Sequence, residues 1–198
     1  MKRMIMHVHT SPRSRDATLA PADAVAGAKS AGADILLFTE HDIAWTRDEL
    51  DRLAEENGSG ILLLGSAEVA HRDAHLIVIG CDTALDLALP VNEMVRQVHE
   101  LGGAVILAHP ADLFFQITPE IASGWGVDAA EVVNLKKRSV PPGEWKNWLE
   151  RGMGLVAGLD AHRKTDMKGG CHTLVPEWVE TEKDLARALR ERLVRAGQ

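Results

Sequence analysis

The chain has 198 residues, of which 45% are hydrophobic and 26% charged, and its formal net charge is -7. This length fits one domain with a sizeable core, and the composition excludes a disordered or low-complexity chain. The acidic balance argues against a strong nucleic-acid surface. Three bound divalent cations would add about six positive charges, so part of the acidity is explained if the chain holds metals. We predict a single domain over residues 1–198.

The sequence also predicts the compartment. Cys81 and Cys171 are the only cysteines, too few for a disulfide scaffold and typical of free thiols in a reducing cytosol. The N-terminus is basic and then apolar, but His7 interrupts it after three apolar residues, so we expect no signal peptide. The apolar runs are far shorter than a bilayer span. We therefore expect a cytoplasmic protein with no membrane partner.

Short apolar runs alternate with helix-like stretches along the first half of the chain. Pro21 suits an early helical position and Gly32 suits a helix end. In chain order, the pattern predicts a strand at 4–6, a helix at 21–31, a strand at 35–38, a helix at 45–57, and strands at 61–64 and 76–79.

The second half continues the alternation. A helix predicted at 91–101 is stopped by two glycines, Gly102 and Gly103. The remaining predicted elements are a strand at 104–108, a short helix at 117–123, a strand at 131–135, a helix at 143–151, strands at 155–159 and 174–175, and an amphipathic helix at 182–195.

Strands that alternate with helices favour parallel βα units. These strands are apolar throughout, as expected where helices cover one face and a packed interior covers the other. Both a βα barrel and an open doubly wound sheet have this signature. The positions of the polar residues distinguish them.

Metal-ligand residue types stand at or beside the ends of six predicted strands. They are His7, His9, Glu40, His41, Asp42, Glu68, His75, His109, Asp160 and His162. Active sites of βα barrels are built at the carboxyl ends of the strands, and mixed imidazole and carboxylate ligands suit zinc, manganese or iron. We therefore predict a metal-binding barrel mouth.

Each motif alone has an ordinary structural explanation. Two histidines at strand spacing, such as His7 and His9, point to one face and can bind one metal, but they also occur as a polar rim. Asp160 could cap a helix, and Glu68 could be a surface residue. Their joint occurrence at successive strand ends favours a metal site.

Several sequence blocks together resemble the polymerase and histidinol phosphatase (PHP) family. They appear in the family's order as MHVHTSPRSRD (6–16), LLFTEHD (36–42), GSAEV (65–69), DAHLIVIG (73–80), AVILAHP (104–110), EVVN (131–134) and GLDAH (158–162). The resemblance implies an α/β fold, a distorted seven-stranded TIM-like (βα) barrel, with up to three divalent metals, Zn, Mn or Fe.

The resemblance also implies a ligand set, taken position by position. It places His7, His9, Glu68 and Asp160 on a first metal, Glu68, His75 and His109 on a second, and Asp16, His41 and His162 on a third. Glu68 would bridge the first two, and Glu68, Asp160 and His162 are the predicted catalytic residues.

Three positions depart from the family's pattern. The usual aspartate two residues before the first histidine is Ile5, and the second acidic block has Glu40 in place of aspartate. The loop from His9 to Asp16 is slightly longer than usual, which makes Asp16 the least secure of the predicted ligands.

The resulting hypothesis is a phosphoesterase in which a metal-bound hydroxide attacks a small phosphorylated substrate. Phosphate contacts are predicted from Arg13, Arg15, Lys137 or Arg138. Lys136 also follows a predicted strand, where a place on the rim and a solvated loop are equally good interpretations.

Two alternatives remain open. One is an amidohydrolase-like enzyme that cleaves a C–N or ester bond, although no bridging lysine is present and Glu68 takes that position. The other is a non-catalytic PHP accessory module, against which the complete ligand set argues. The sequence makes no prediction of oligomeric state.

Overall fold

The computed structural model of the protein describes residues 1–58, 60–81 and 85–197. Within these ranges the chain forms nine strands and six α-helices. The strands are β1 (Lys2–Val8), β2 (Ile35–His41), β3 (Leu62–His71), β4 (Ala74–Ile79), β5 (Ala104–Leu107), β6 (Ala129–Asn134), β7 (Gly154–Gly158), β8 (His172–Val175) and β9 (Arg195–Gly197). The helices are α1 (Pro21–Ser30), α2 (Arg47–Glu56), α3 (Val91–Glu100), α4 (Pro119–Trp125), α5 (Trp145–Glu150) and α6 (Glu182–Arg190), with 3-10 turns at Pro142–Glu144 and Lys164–Lys168.

The strands form one sheet in the order β7-β6-β5-β4-β3-β2-β1-β8-β9, which almost closes into a barrel. Strands β1, β2 and β3 are parallel to one another, as are β5, β6 and β7. The chain that leaves β7 returns to the edge of β1. There Leu159 N–H donates to Met6 O at 3.0 Å, and His9 N–H donates to Ala161 O at 2.9 Å. The predicted α/β barrel-like fold is therefore present.

The predicted count of seven strands is wrong, and the predicted parallel βα units do not account for every strand. β4 runs antiparallel to β3 and β5. Only Arg72 and Asp73 separate β3 from β4, and a parallel pair would need a long crossover. β8 and β9 are also antiparallel additions beside β1.

The last predicted helix, 182–195, ends early. α6 stops at Arg190, and the amide of Leu193 donates to Ala188 O at 2.9 Å, which closes the helix. Arg192 has a φ of 59°, which a continuing helix cannot accommodate. Leu193 and Val194 continue the apolar spacing of α6, so the pattern gave no sign of the reversal into β9.

Two apolar layers hold the sheet. The larger lies between the sheet and the surrounding helices, and includes Ile5, Phe38 and Trp148. The second includes Met4 and Met6 of β1 together with the buried leucines of α6. Among the described residues, no helix has both the length and the apolar character needed to cross a bilayer.

Candidate metal centre

Left-handed backbone conformations concentrate at the predicted site. His7, His109 and Asp160 have φ values of 62°, 29° and 53°, and Asp42, which follows the candidate ligand His41, has a φ of 60°; they are four of the six non-glycine residues with positive φ in the described part of the chain. Such conformations cost about 1–3 kcal/mol each and cluster at functional sites. At His7 the conformation coincides with a shift in the pairing register of β1 with β2, between Ile5 and Val8.

Glu68 lies at the centre of the cluster and is 2% exposed. Five histidine rings surround its two carboxylate oxygens. Its Oε1 lies 3.4 Å from His7 Nε2 and 3.1 Å from both His75 Nδ1 and His109 Nε2, whereas its Oε2 lies 3.3 Å from both His9 Nε2 and His41 Nδ1. The two oxygens thus face two different groups of nitrogen donors, and His7 lies on the side of His75 and His109 whereas His9 lies on the other side.

The strand that carries Glu68 is longer than the sequence predicts. β3 continues to His71, so Glu68 lies within a strand rather than after its end. His75 likewise lies inside β4, where it pairs with Ala70. Because β4 is antiparallel, its amino end reaches the same rim as the carboxyl ends of the parallel strands. This explains how a histidine that begins a strand joins the cluster.

Glu68 is ionised. Burial raises the pKa of this carboxyl group, but the charge on His7 and hydrogen bonds from His109, His7 and His75 outweigh burial and hold the pKa well below its ordinary value. A permanent carboxylate therefore stands among the imidazole rings.

The candidate donor atoms converge in four groups whose members lie within 4.8 Å of one another. The groups are His7, His9 and Glu68; Glu68, His75 and His109; His7, His109 and Asp160; and His9, His41 and His162. These groups contain eight of the nine predicted ligands. Their role as ligands stays a prediction.

Asp16, the ninth predicted ligand, is 57% exposed in its side chain and lies at the edge of the cluster. Its two oxygens lie 2.9 Å from His162 Nε2 and 3.4 Å from His41 Nε2. Burial raises the pKa of Asp16, but the adjacent His162 and His41 rings outweigh it, so the pKa is lowered.

Glu131, a buried carboxylate that was not among the predicted site residues, contacts His7. Glu131 Oε1 lies 2.7 Å from His7 Nδ1, and Glu131 Oε2 accepts the amide of His109 at 2.8 Å and the Nδ2 group of Asn134 at 2.9 Å. Gly158 makes room for it, because a Cβ there would lie 1.9 Å from Glu131 Oε1. Such a carboxylate fixes the tautomer and orientation of a metal-binding histidine.

His9 is oriented in a similar way. Ser14 Oγ donates its only proton to Glu40 Oε2 at 2.7 Å and accepts the amide of His41 at 3.1 Å. The contact between Ser14 Oγ and His9 Nδ1, at 3.4 Å, therefore requires His9 to donate from Nδ1. His9 Nε2 is left with its lone pair toward Glu68.

Glu40, the departure from the family's aspartate, anchors the loop that follows β1. Its buried carboxylate also accepts the amide of Thr10 at 2.8 Å and Trp45 Nε1 at 2.8 Å, and it binds the Thr10 hydroxyl. The longer acid thus binds the start of the slightly longer His9–Asp16 loop.

The hydrogen bonding of the buried histidines fits a metal site. Four buried side-chain nitrogens have no hydrogen-bond partner within the described ranges, and two of them, His7 Nε2 and His9 Nε2, face Glu68. A buried polar atom without a partner costs about 1–3 kcal/mol, so such atoms need another explanation. Nitrogen donors around a carboxylate fit Zn, Mn or Fe in donor type and number.

The predicted phosphate contacts have different surroundings. Arg13 pairs with Glu49 and stacks over Trp45, 4.4 Å from the ring centre, so its guanidinium is already engaged. Lys137 Nζ lies 3.1 Å from Asp112 Oδ2, beside His109. The other two predicted contacts, Arg15 and Arg138, are exposed.

Lys136, which was not among the predicted contacts, lies closest to the cluster. Its Nζ lies 2.8 Å from His162 Nδ1 and 3.7 Å from Asp160 Oδ1. The sequence gave one indication of this role, since Lys136 directly follows a predicted strand and precedes two further cations. A lysine that touches a candidate ligand is a feature only the three-dimensional structure reveals.

No protein-family model and no curated protein matches the chain. Several solved structures are similar to the chain in fold. A candidate metal-dependent phosphoesterase from Bifidobacterium adolescentis has 17% identity and a TM-score of 0.65, over 81% of this chain and 88% of its own. An amidohydrolase from Chromobacterium violaceum, solved with bound sulfate and no metal, has 14% identity and a TM-score of 0.61, over 96% of each chain. At these identities the similarity shows a shared fold.

Proposed function

We propose that this protein is a metal-dependent hydrolase that cleaves a small phosphate ester. The observation that carries the proposal is the convergence of five histidine rings on the ionised, buried Glu68, with ring nitrogens that have no other partner in the described chain. The two fold relatives, a candidate phosphoesterase and an amidohydrolase, agree with a hydrolase.

The residues that would hold the metals are grouped around Glu68. His7, His9 and Asp160 would hold a first ion, His75 and His109 a second, and Asp16, His41 and His162 a third. When bound, divalent ions lower the pKa of a coordinated water and stabilise negative charge on a phosphate oxygen.

The chain's own side chains supply orientation and charge. Glu131 and Ser14 hold the Nδ1 protons of His7 and His9, so that the Nε2 lone pair of His9, and that of His7 once its Nε2 proton is displaced, would face inward. The cations Lys136 and Lys137 lie beside the cluster and would attract an anionic substrate.

Phosphate esters are favoured over amides by this balance of charge. Three divalent ions with the carboxylates of Glu68, Asp160 and Asp16 leave a net charge of about +3. That residual charge suits a phosphate dianion better than a neutral amide. C–N or ester hydrolysis is the second candidate, favoured by the similar fold of the amidohydrolase, which covers 96% of this chain.

The test is a substrate panel with protein stripped of metal and reloaded with Mn, Zn or Fe. The panel contains p-nitrophenyl phosphate, bis-p-nitrophenyl phosphate, p-nitrophenyl acetate and an N-acyl amino acid. We expect turnover of a phosphate ester that chelator abolishes and metal restores. Turnover of only the acyl substrates would support the second candidate, and loaded protein inactive on every substrate would contradict both.

A matched pair of variants tests the role of Glu68. Glu68→Gln keeps the shape but loses the charge between the ions, so turnover should fall on the order of a hundredfold or more. Glu55→Gln, an exposed change on α2, should behave as the parent. Equal turnover of the two variants would refute a central role for Glu68.

A further inference from the structure

We propose that Leu113 and Phe114 form an apolar subsite at the barrel mouth that takes an aromatic group of the substrate. The substrate would then be a phosphate ester whose organic part carries an aromatic ring. The inference rests on the proposed function for the phosphate, and it deepens that function by naming the group to which the phosphate is attached.

Phe114 is the most exposed large apolar side chain in the described part of the chain. It is 88% exposed, and its neighbour Leu113 is 69% exposed. A single exposed leucine is ordinary on a protein surface, but a leucine and a phenylalanine that lie side by side, both largely in solvent, form an apolar patch. Apolar patches with a polar rim mark surfaces that contact a ligand or a partner.

The patch lies on the segment that leaves β5 at the rim of the candidate metal centre. His109, a candidate ligand, comes five residues before Phe114. The ring of Phe115 packs against the ring of His75, with 5.3 Å between the ring centres. Because the Cα atoms of neighbouring residues are about 3.8 Å apart, Phe114 begins one peptide unit from a side chain that contacts the cluster. The apolar patch is therefore continuous with the candidate metal centre.

Hydrogen bonds hold this segment in a defined turn. Asp112 is 6% exposed, its Oδ1 accepts the amide of Phe114 at 3.1 Å, and its carbonyl oxygen accepts the amide of Gln116 at 3.0 Å. The amide of Ile117 donates to Pro110 O at 2.9 Å, which closes the turn. The backbone of Phe114 is thus fixed before any ligand arrives, and a preorganised contact loses little conformational freedom on binding.

Asp112 also connects the patch to the charged part of the site. Its second oxygen, Oδ2, lies 3.1 Å from Lys137 Nζ and 3.9 Å from His109 Nδ1. The cationic and metal-binding groups and the apolar patch therefore lie around one buried carboxylate. This arrangement suits a substrate with a charged end and an apolar end.

An aromatic group fits the apolar end of such a substrate. Aromatic rings bury a large area and pair favourably with another aromatic ring, such as that of Phe114. A glycerol or sugar phosphate is polar over its whole surface and would gain nothing from this contact.

The size of the patch favours a small molecule over a protein partner. Stable protein interfaces bury about 800 Å² on each partner. Two side chains supply only a fraction of that area, and the exposed residues that follow them on the same loop, Gln116 and Thr118, are polar.

The experiment compares two anions that differ in an aromatic group. Calorimetry measures the Kd of phenylphosphonate and of methylphosphonate for Mn-loaded protein, and neither compound is an ester that the protein could cleave. Four proteins are compared: the parent, Phe114→Ser, Phe114→Trp and the control Leu149→Ser. The control removes a 55% exposed apolar side chain on α5, the helix that leads into the amino end of β7 and so away from the mouth.

The parent should bind phenylphosphonate about tenfold more tightly than methylphosphonate, the gain expected for one aromatic pair. Phe114→Ser should lose this preference and keep the Kd for methylphosphonate. Phe114→Trp should retain the preference, and Leu149→Ser should behave as the parent. An equal Kd for the two anions in the parent, or a preference that Phe114→Ser leaves unchanged, would overturn the inference.

Benzoate and acetate form a second pair that separates this inference from the proposed function. An aromatic preference that depends on Phe114 in the carboxylate pair alone would support the subsite and refute phosphate as the anion. Phosphonates that bind without any aromatic preference would refute the subsite and leave the proposed function standing, and no binding in either pair would refute both. A dimer that Phe114→Ser dissociates in sedimentation, with no aromatic preference, would assign the patch to a second copy of the chain instead.

Discussion

Replacing Glu131 with glutamine should weaken metal binding at the cluster without unfolding the protein. Glu131 Oε2 accepts two donors, the His109 amide and Asn134 Nδ2, and Oε1 lies 2.7 Å from His7 Nδ1. A glutamine side chain has only one acceptor oxygen. That oxygen should take the position of Glu131 Oε2, where the His109 amide and Asn134 Nδ2 both donate. The NH₂ group of the glutamine would then face His7 Nδ1.

This exchange reverses the tautomer of His7. Nδ1 must accept from the amide, so the ring proton moves to Nε2, where it blocks the lone pair directed toward Glu68. Loss of a supporting partner of this kind costs roughly 10- to 100-fold in metal affinity, or about 1.4–2.7 kcal/mol. The variant should stay folded, because glutamine fills the same volume as glutamate.

The assay is competition for Zn between the protein and a chromophoric chelator, with circular dichroism as the check on folding. Glu55→Gln serves as the control for the loss of one carboxylate elsewhere. A ¹⁵N spectrum of the metal-free protein, recorded above the raised pKa of His7, would report the His7 tautomer directly. If Glu131→Gln bound Zn as tightly as the parent, the reasoning from tautomer to affinity would be wrong.

Two further predictions concern the same region. Gly158→Ala should destabilise the protein by about 1–3 kcal/mol, because the added Cβ would meet Glu131 Oε1 at 1.9 Å and His7 Cβ at 2.7 Å. Denaturant unfolding of the metal-free protein measures this change in the free energy of unfolding. A loss below about 0.5 kcal/mol would show that the side chains around Gly158 pack less closely than described. Burial lowers the pKa of His7, but Glu131 and Glu68 outweigh burial and raise it above its ordinary value, so a metal at Nε2 must displace a proton. Metal affinity should therefore fall as the pH drops below that raised pKa, by about tenfold per pH unit for one proton. Calorimetry in two buffers of different ionisation enthalpy should detect the released proton. A metal affinity that did not change with pH would refute this prediction.

Much of the candidate site could be predicted because strand ends are marked in the sequence. Apolar runs identify strands, and polar residues that follow them lie at one rim when the strands are parallel. His7, His109 and Asp160 were placed in this way. His75 was predicted just before its strand but lies inside β4, and it reaches the rim because the short turn at Arg72 and Asp73 makes β4 antiparallel.

Other features could not be predicted because they depend on partners distant in the chain. Glu131 is one of several acidic residues at strand positions, and only its contact with His7, 124 residues away, gives it a role. The position of Lys136 depends on contact between the segment after β6 and the segment after β7, which holds Asp160 and His162. β9 was missed because Leu193 and Val194 fit the helical pattern of α6 as well as they fit a turn into a strand.

The central claim is that the cluster around Glu68 binds at least two divalent metals. Elemental analysis of protein purified without chelator, then dialysed against buffer containing trace Zn, Mn and Fe, tests it most directly. The account predicts two to three equivalents per chain in the parent and a clear reduction in Glu68→Gln. Trace metal in the parent, with no uptake when metal is added, would contradict it.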